Sequence, residues 1–469
     1  MKRDNFTLKK NLNFFRLPWH MLPTIFLLAW PTMVEQLLQT AVQYIDTAMV
    51  GALGTQATAA VGSTTTVNWL ISSTIAAIGV GFLAFIAQAV GAKNSEKARR
   101  ASAQAVLTVL VCGMFFTILT VACSSKIPVW MQVDAAIQPM AATYFLILYL
   151  PMLPRTATII FGTLLRAVGD TKTPMRVGII VNITNIVLNF LLIYPTRTCV
   201  IPGTTYVAFL PGAGLGIIGA ATASAVAFTV GGVLTTLALW KHPLLSPKGQ
   251  SLKPDAEILR PCFKVAVPNA LQRFGTSLGY VAFAAMVNSL GEIATAAHTI
   301  ANTVESAFYI PGYGMQTAAA TLAGNALGAN DQKKIKELSK MILWLEVVLM
   351  ICSGGLLYII APDMMALFSK NEQVISLGTT VLRMVALSEP FYGVAIIIEG
   401  MMQGMGKTMM PFITNIIGMW LVRIVGTFIC TQILGLGLIS AWQCMIAHNL
   451  MLCIVFFICN IRYQSESEK

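Results

Sequence analysis

Long apolar runs separated by short polar breaks fill the chain from one end to the other. A helix rising 1.5 Å per residue needs roughly 20 such residues to cross the hydrocarbon of a bilayer, so each run predicts one spanning helix. Twelve are placed, near 21–52, 60–90, 101–123, 137–164, 177–195, 215–240, 265–290, 297–327, 341–361, 374–402, 409–431 and 436–461. The runs lack the short alternating pattern of membrane barrel strands.

Polar residues inside these runs fall into stripes. Glu35, Gln39, Gln43 and Asp46 share one face of the first span, because eleven residues at roughly 100° each return a helix almost to the same azimuth. A carboxylate at the centre of a membrane helix costs roughly 2.5 to 3.5 kcal/mol and faces a bundle interior or a water-filled cavity. Pro31, just ahead of the stripe, removes a backbone donor and predicts a bend. In the fifth span Asn182, Asn185 and Asn189 recur at i, i+3, i+7, with Asp46 the expected partner and Thr222 or Ser224 of the sixth span closing a network. The eighth span carries His298, Asn302, Glu305 and Tyr309 on one face, ahead of Pro311. The tenth adds Glu389 before Pro390, Tyr392 one turn on, and Glu399. Arg273 and Arg423 are expected to neutralise carboxylates across helices, Glu346 and Glu399 to be structural, and Met401, Met402, Met405, Met409 and Met410 to fill core.

Sliding the chain against itself by 237 residues aligns Pro31 with Pro268, Gly54 with Gly291, Gly91 with Gly328, Gly169 with Gly406 and Pro174 with Pro411. After a shift of sixteen, absorbed by the longer loop at 196–212, LGIIGAA (215–221) pairs with LGLISAW (436–442). The division is then an N-terminal segment 1–20, an N-lobe 21–240, a linker 241–264, a C-lobe 265–461 and a tail 462–469. Each lobe has six spans, so the copies share one topology and enclose a central cavity, as in parallel-repeat transporters. The repeat also compares the stripes: Asn68 stands where the C-lobe has Glu305, Gln272 where the N-lobe has Glu35, and Phe283 where it has Asp46.

Composition agrees with an all-α integral membrane protein: 56% of the 469 residues are hydrophobic and 11% charged, where soluble domains average about 25% charged. The net charge of +12 does not indicate nucleic acid, because twenty-four of the 31 Lys and Arg lie on one side of the spans. Only Lys126, Arg197 and Lys370 lie on the other side, and Arg155, Arg273, Arg383 and Arg423 fall within spans. That bias places both termini in the cytoplasm of a multi-pass plasma (inner) membrane protein. The first twenty residues are basic and aromatic and lead into a span without a cleavage site, which fits a segment lying on the bilayer surface rather than a signal peptide. Nine cysteines without a CxxC pair suggest neither a disulfide framework nor a metal site. The scattered His20, His242, His298 and His448 offer no catalytic cluster, so no enzyme is expected. Gly214, Gly216 and Gly219 spell a dinucleotide fingerprint that fails on context, with no strand expected before it and no βαβ unit around it.

The pieces P-x3-EQLLQ and IDTAMVGALG in the first span, LAFIAQAVGAKN after the second, GTLLRAVGDTKTP after the fourth and AAHTIANTVESAFYIPGYGMQTAAATLAGNALGAN across the eighth resemble the multidrug and toxic compound extrusion (MATE) transporters. The resemblance covers nearly the whole chain. It implies a V-shaped pair of six-helix lobes that export cationic amphipathic drugs or dyes against proton or sodium entry, without a cofactor and as a monomer in the lipid bilayer. Residue by residue it implies an ion-coupling site at Asp46, Asn185, Asn189 and Thr222, with Glu35 beside it and a bending proline at Pro31. The substrate cavity is then expected along Gln39, Gln43, Asn68, Asn182, Gln272, His298, Asn302, Glu305, Tyr309, Glu389 and Tyr392. Two departures stand out. A seventh-span carboxylate of some members falls here at Thr276, and a tenth-span Asp falls at Tyr392, with Glu389 one turn earlier as a substitute. The alternative within the same superfamily is a lipid-linked saccharide flippase, which would want more cations in its cavity.

Overall fold

The computed structural model describes residues 17–131, 133–200 and 207–466; most of the expected surface segment 1–20 lies outside them. Twelve long helical units follow one another: α1 (Leu22–Gly51), α2 (Thr55–Gly91), α3 (Ser95–Cys123), α4 (Gln138–Tyr149 and Met152–Ala167), α5 (Lys172–Ile193), α6 (Gly216–Lys241), α7 (Ala256–Asn288), α8 (Glu292–Gly328), α9 (Gln332–Phe368), α10 (Glu372–Ala386 and Glu389–Gly404), α11 (Met409–Ile433) and α12 (Leu438–Glu466). Among the described residues eight are long and apolar enough to cross a membrane, and the pairs forming α4 and α10, bent by 51° and 52°, raise this to ten. The other two, α7 and α8, have the length and carry Pro261, Pro268 and Pro311 within unbroken helix.

The internal repeat is written into the backbone. Gly54 and Gly291 have φ of 107° and 102°, Lys93 and Asn330 56° and 54°, Gly169 and Gly406 88° and 77°, each pair 237 apart. A residue bearing a Cβ is strained in the conformation of Gly54 and Gly291, which explains why both halves keep glycine there. The helices that follow the Lys93 and Asn330 turns are capped alike, Asn94 and Asp331 each accepting a 2.9 Å hydrogen bond from the backbone N–H three residues on.

The lobes exchange their first helices. Ile25, Leu28 and Ala29 at the start of α1 sit in an apolar core with α8, α9, α10 and α12, whereas Val50 at its end belongs to the N-lobe core. Helix α7 does the converse: Ile258 and Cys262 join the N-lobe core, Phe283 and Val287 that of the C-lobe. The contact between lobes is therefore made by α1 on α8 and by α2 on α7 and α8. Where α2 meets α8, Gly91 and Gly328 leave no room for a side chain, since an added Cβ on either would strike the other helix's backbone at Asn325 O or Gln88 O. The Thr32 hydroxyl lies 2.8 Å from Gly314 O, Gln88 Nε2 donates to Gly404 O at 3.2 Å, and Tyr44 Oη donates to Thr303 O at 3.2 Å.

Three details differ from the sequence reading. Helix α7 begins at Ala256, well inside the expected linker, because Asp255 caps it by accepting from Glu257 N at 3.0 Å. Asp255 is in turn fastened to α3 by Arg100 at 2.5 Å. A hairpin, β1 (Pro195–Val200) against β2 (Val207–Ala213), lies in the long loop, so a strand does precede Gly214; it pairs antiparallel with its sequence neighbour, and no βαβ unit forms among the described residues. Of the methionines, Met401, Met402 and Met405 fill the core shared with α1, while Met409 is 57% exposed.

Gly91→Ala or Gly328→Ala is expected to destabilise the protein by about 1–3 kcal/mol through overpacking, read as a lower thermal midpoint in detergent. Gly62→Ala, whose added Cβ meets nothing within 4 Å, is the control and should hold or raise the midpoint.

Candidate functional site

A cavity of about 450 Å³ opens inside the N-lobe between α1, α2, α4, α5 and α6. Its α1 wall is the polar stripe: Glu35, Gln39, Gln43 and Asp46 all line it, as the helical period requires. Asp46 Oδ1 accepts from Asn189 Nδ2 at 2.6 Å, Asn189 Nδ2 also donates to Asn185 Oδ1 at 3.1 Å, and Asn185 Nδ2 donates to Ser224 Oγ at 3.1 Å. This chain of polar groups ties α1 through α5 to α6. Asn182, one turn before Asn185, lines the same cavity. Thr222 does not take part: its hydroxyl donates to Ile218 O of its own helix at 2.8 Å. Two residues are about 200° on a helix, so of Thr222 and Ser224 only one can face α5.

Glu35 is held apart from that chain by an ion pair with Arg166 at 2.5 Å, both side chains being largely buried. Arg166 lies in the last turn of α4, beyond the span that hydropathy marks, and folds back along it. Sequence reasoning counted it with the surface charges. A second arginine, Arg155, also lines the cavity, donating from Nη2 to Asn68 Oδ1 at 2.6 Å and Ser72 Oγ at 2.8 Å, with Phe228 and Tyr149 against its guanidinium. Asn68, expected as part of a substrate surface, is thus the acceptor that seats this arginine. The signal was present: an arginine inside a span needs partners, and Asn68 and Ser72, four apart on α2, offer two.

The C-lobe is chemically different. Phe283, at the position equivalent to Asp46, is buried, edge-to-face with His298 at 5.5 Å and 4.3 Å beneath the Arg423 guanidinium. His298 packs on Trp442 as well, at 5.8 Å, so it sits in an aromatic box rather than on a polar surface. Met445, the counterpart of Ser224, lies 3.1 Å from Arg423 Nη2. Neither Arg423 nor Arg273 forms an ion pair among the described residues; Arg273 Nε donates to Asn269 Oδ1 at 3.1 Å. The expected neutralisation across helices acts through space, Arg423 on Glu305 and Arg273 on Glu399, while the direct contacts of these guanidiniums are aromatic faces, sulfur and amide oxygen.

Asn302 is exposed, but Glu305 is buried, and Tyr309 packs edge-to-face on Tyr313 and Tyr392, whose hydroxyls are 2.8 Å apart. Glu389 and Glu346 are buried with no hydrogen-bond partner on either carboxylate oxygen. Glu346 sits between α8 and α10, where a Cβ on Gly312 or Gly393 would meet its Oε1 at 2.6 or 3.2 Å. Gln272 is not on an open surface: it donates to Glu399 Oε1 at 2.8 Å, and Gln403 and Asn415 complete the shell around that carboxylate. The candidate positions thus separate into an open N-lobe cavity, a closed amide shell around Glu399 and a buried acidic and tyrosine cluster.

Residues 31–191 and 268–429 match the MatE family model, the two matches starting at the repeat-related prolines. The chain is 27% identical over 427 residues to a "Probable multidrug resistance protein NorM" of Thermotoga maritima, covering 90% of this chain and 88% of that protein. It is 26% identical over 428 residues to a "Probable multidrug resistance protein YoeA" of Bacillus subtilis, covering 88% and 87%. A solved structure described as the outward-facing conformation of a multidrug resistance MATE family transporter superposes with a TM-score of 0.87 at 22% identity, over 95% of this chain and 96% of that one.

Glu35→Gln leaves Arg166 buried and unpaired, with an expected loss of about 3 kcal/mol. The double variant Glu35→Gln with Arg166→Met should recover most of it. Thermal midpoints of the single and double variants in detergent provide the check.

Proposed function

The chain belongs to the MATE family of membrane transporters, and from that premise we propose that it is a secondary active multidrug efflux transporter, exporting cationic amphipathic compounds in exchange for a proton or sodium ion. The observation that carries the reading is Asp46: a carboxylate on the wall of a drug-sized cavity, held by a single neutral amide and by no cation among the described residues. Cavities of 300–1,000 Å³ suit drug-sized ligands.

A carboxylate in such a place binds one cation at a time. Drug nitrogen and coupling ion compete for it, and that competition is the coupling. The Asn185 and Asn189 oxygens complete either a proton network or a sodium shell. Alternating access would then run on α1, whose Pro31 lacks a backbone donor just where the helix passes between the lobes. One proton entering through 100 mV and one pH unit supplies about 2.3 plus 1.4 kcal/mol. If a monovalent cation leaves as the proton enters, the electrical parts cancel and the pH part remains. The reading places the protein as a monomer in the cell membrane with both termini cytoplasmic. A saccharide flippase would need several free cations for a pyrophosphate, whereas among the described residues lining the cavity Arg166 is taken by Glu35 and Arg155 alone lacks an anionic partner.

In vesicles with an imposed pH or sodium gradient, Asp46→Asn is expected to abolish uphill dye movement while keeping the wild-type thermal midpoint. Full coupling in that variant would overturn the assignment, and comparing the two gradients identifies the ion.

A further inference from the structure

Four charged side chains line the N-lobe cavity: Glu35, Asp46, Arg155 and Arg166. Glu35 and Arg166 neutralise each other at 2.5 Å. The other two do not pair, with each other or with any charge among the described residues, and each is held only by neutral groups. The cavity therefore presents one uncompensated anion and one uncompensated cation.

Arg155 is 7% exposed, and its Nη1 has no hydrogen-bond partner. Burying an arginine at membrane depth is costly, and neutral acceptors offset that cost less than an anion does. Its seat is nonetheless rigid: Asn68 and Ser72 hold Nη2 from α2, and the Phe228 and Tyr149 rings lie 4.5 and 5.5 Å from the guanidinium carbon. A fixed planar guanidinium with donor capacity to spare matches a carboxylate in shape and charge.

We propose that Arg155 is an anion subsite, and that the cavity takes amphipathic zwitterions, with the substrate carboxylate at Arg155 and its cationic nitrogen at Asp46. This rests on the efflux reading and narrows its substrate class. It also changes the energetics of exchange. A zwitterion carries no net charge, so its exchange for one proton moves one positive charge inward, and the membrane potential drives it; exchange of a monovalent cation for one proton is indifferent to potential.

The test uses the full-length protein and two probes, a xanthylium dye with a free benzoate and the methyl ester of the same dye. Equilibrium binding to the wild-type protein, followed by dye fluorescence, should be about tenfold tighter for the acid than for the ester, a difference typical of one lost charge-assisted contact. In proteoliposomes Arg155→Gln should lower efflux of the acid about tenfold and leave ester efflux within about twofold, with Arg155→Lys intermediate. An imposed potential should accelerate acid efflux and not ester efflux. Equal binding of the two dyes by the wild-type protein would overturn the subsite, as would a parallel loss of both transport activities in Arg155→Gln, the result expected if Arg155 only fastens α4 to α2. Export of the ester alone by the wild-type protein would sink the subsite and leave the efflux reading standing, whereas export of neither dye under either gradient would remove both.

Discussion

Two helices, α1 and α7, each belong to both lobes, and this exchange constrains everything else in the molecule. Each begins in the apolar core of the opposite lobe and ends in that of its own. Neither lobe can then shift without carrying, bending or sliding a helix of the other. Within a bilayer this matters more than in water, since association there relies on close packing and hydrogen bonding rather than on the hydrophobic effect. The paired glycines at Gly91 and Gly328 allow the close approach, and the Thr32 hydroxyl near Gly314 O adds a polar contact about four turns earlier on α8.

On that symmetric frame the chemistry is asymmetric. Asp46 and Phe283 occupy equivalent turns of α1 and α7, yet one lines an open polar cavity and the other lies under a guanidinium in an aromatic box. The difference extends outward. Ser224, which receives the hydrogen bond of Asn185, corresponds to Met445, which sits against Arg423. At these equivalent positions the packing follows the local charge, a carboxylate with amides in the N-lobe and an arginine with rings and sulfur in the C-lobe. The unpartnered oxygens of Glu346 and Glu389 show that the C-lobe also encloses acidic groups, away from its equivalent of the N-lobe opening.

How much of this the sequence displayed depends on the range of the interaction. The stripe Glu35, Gln39, Gln43, Asp46 and the asparagines of α5 were legible because helical periodicity alone sets which residues share a face, and apolar surroundings make any polar stripe stand out. The repeat was legible for a similar reason: it is anchored at glycines and prolines whose backbone demands recur at one offset, as Gly54 and Gly291 display. What escaped were partners that depend on side-chain reach and azimuth across helices. Arg166 lies outside its span by hydropathy yet reaches Glu35; Ser224 rather than Thr222 meets Asn185; Arg155 finds Asn68 and Ser72 on a helix eighty residues away in sequence. The hairpin before Gly214 escaped because its strands are only six and seven residues long, too short to stand out between two long apolar runs. Gln272 looked like cavity lining because its amide is polar, but a carboxylate, Glu399, was available to bury it.

The position of Pro31 joins the exchange to the asymmetry. Residues 25–29 of α1 are fixed in the core it shares with the C-lobe, and Asp46 lies on its N-lobe half. Between them stands a residue that cannot donate to the helix, which makes the handover the softest point of α1. Any change of occupancy at Asp46 alters forces on the far side of that point, while the near side remains held. Helix α7 has the same proline, Pro268, and the same exchange, but Phe283 carries no charge on which an ion or substrate can act. Of these two helices, only α1 carries a carboxylate beyond its repeat proline. Under the proposed exchange, the drive then comes from the N-lobe half of α1, with the core shared with the C-lobe holding its other end.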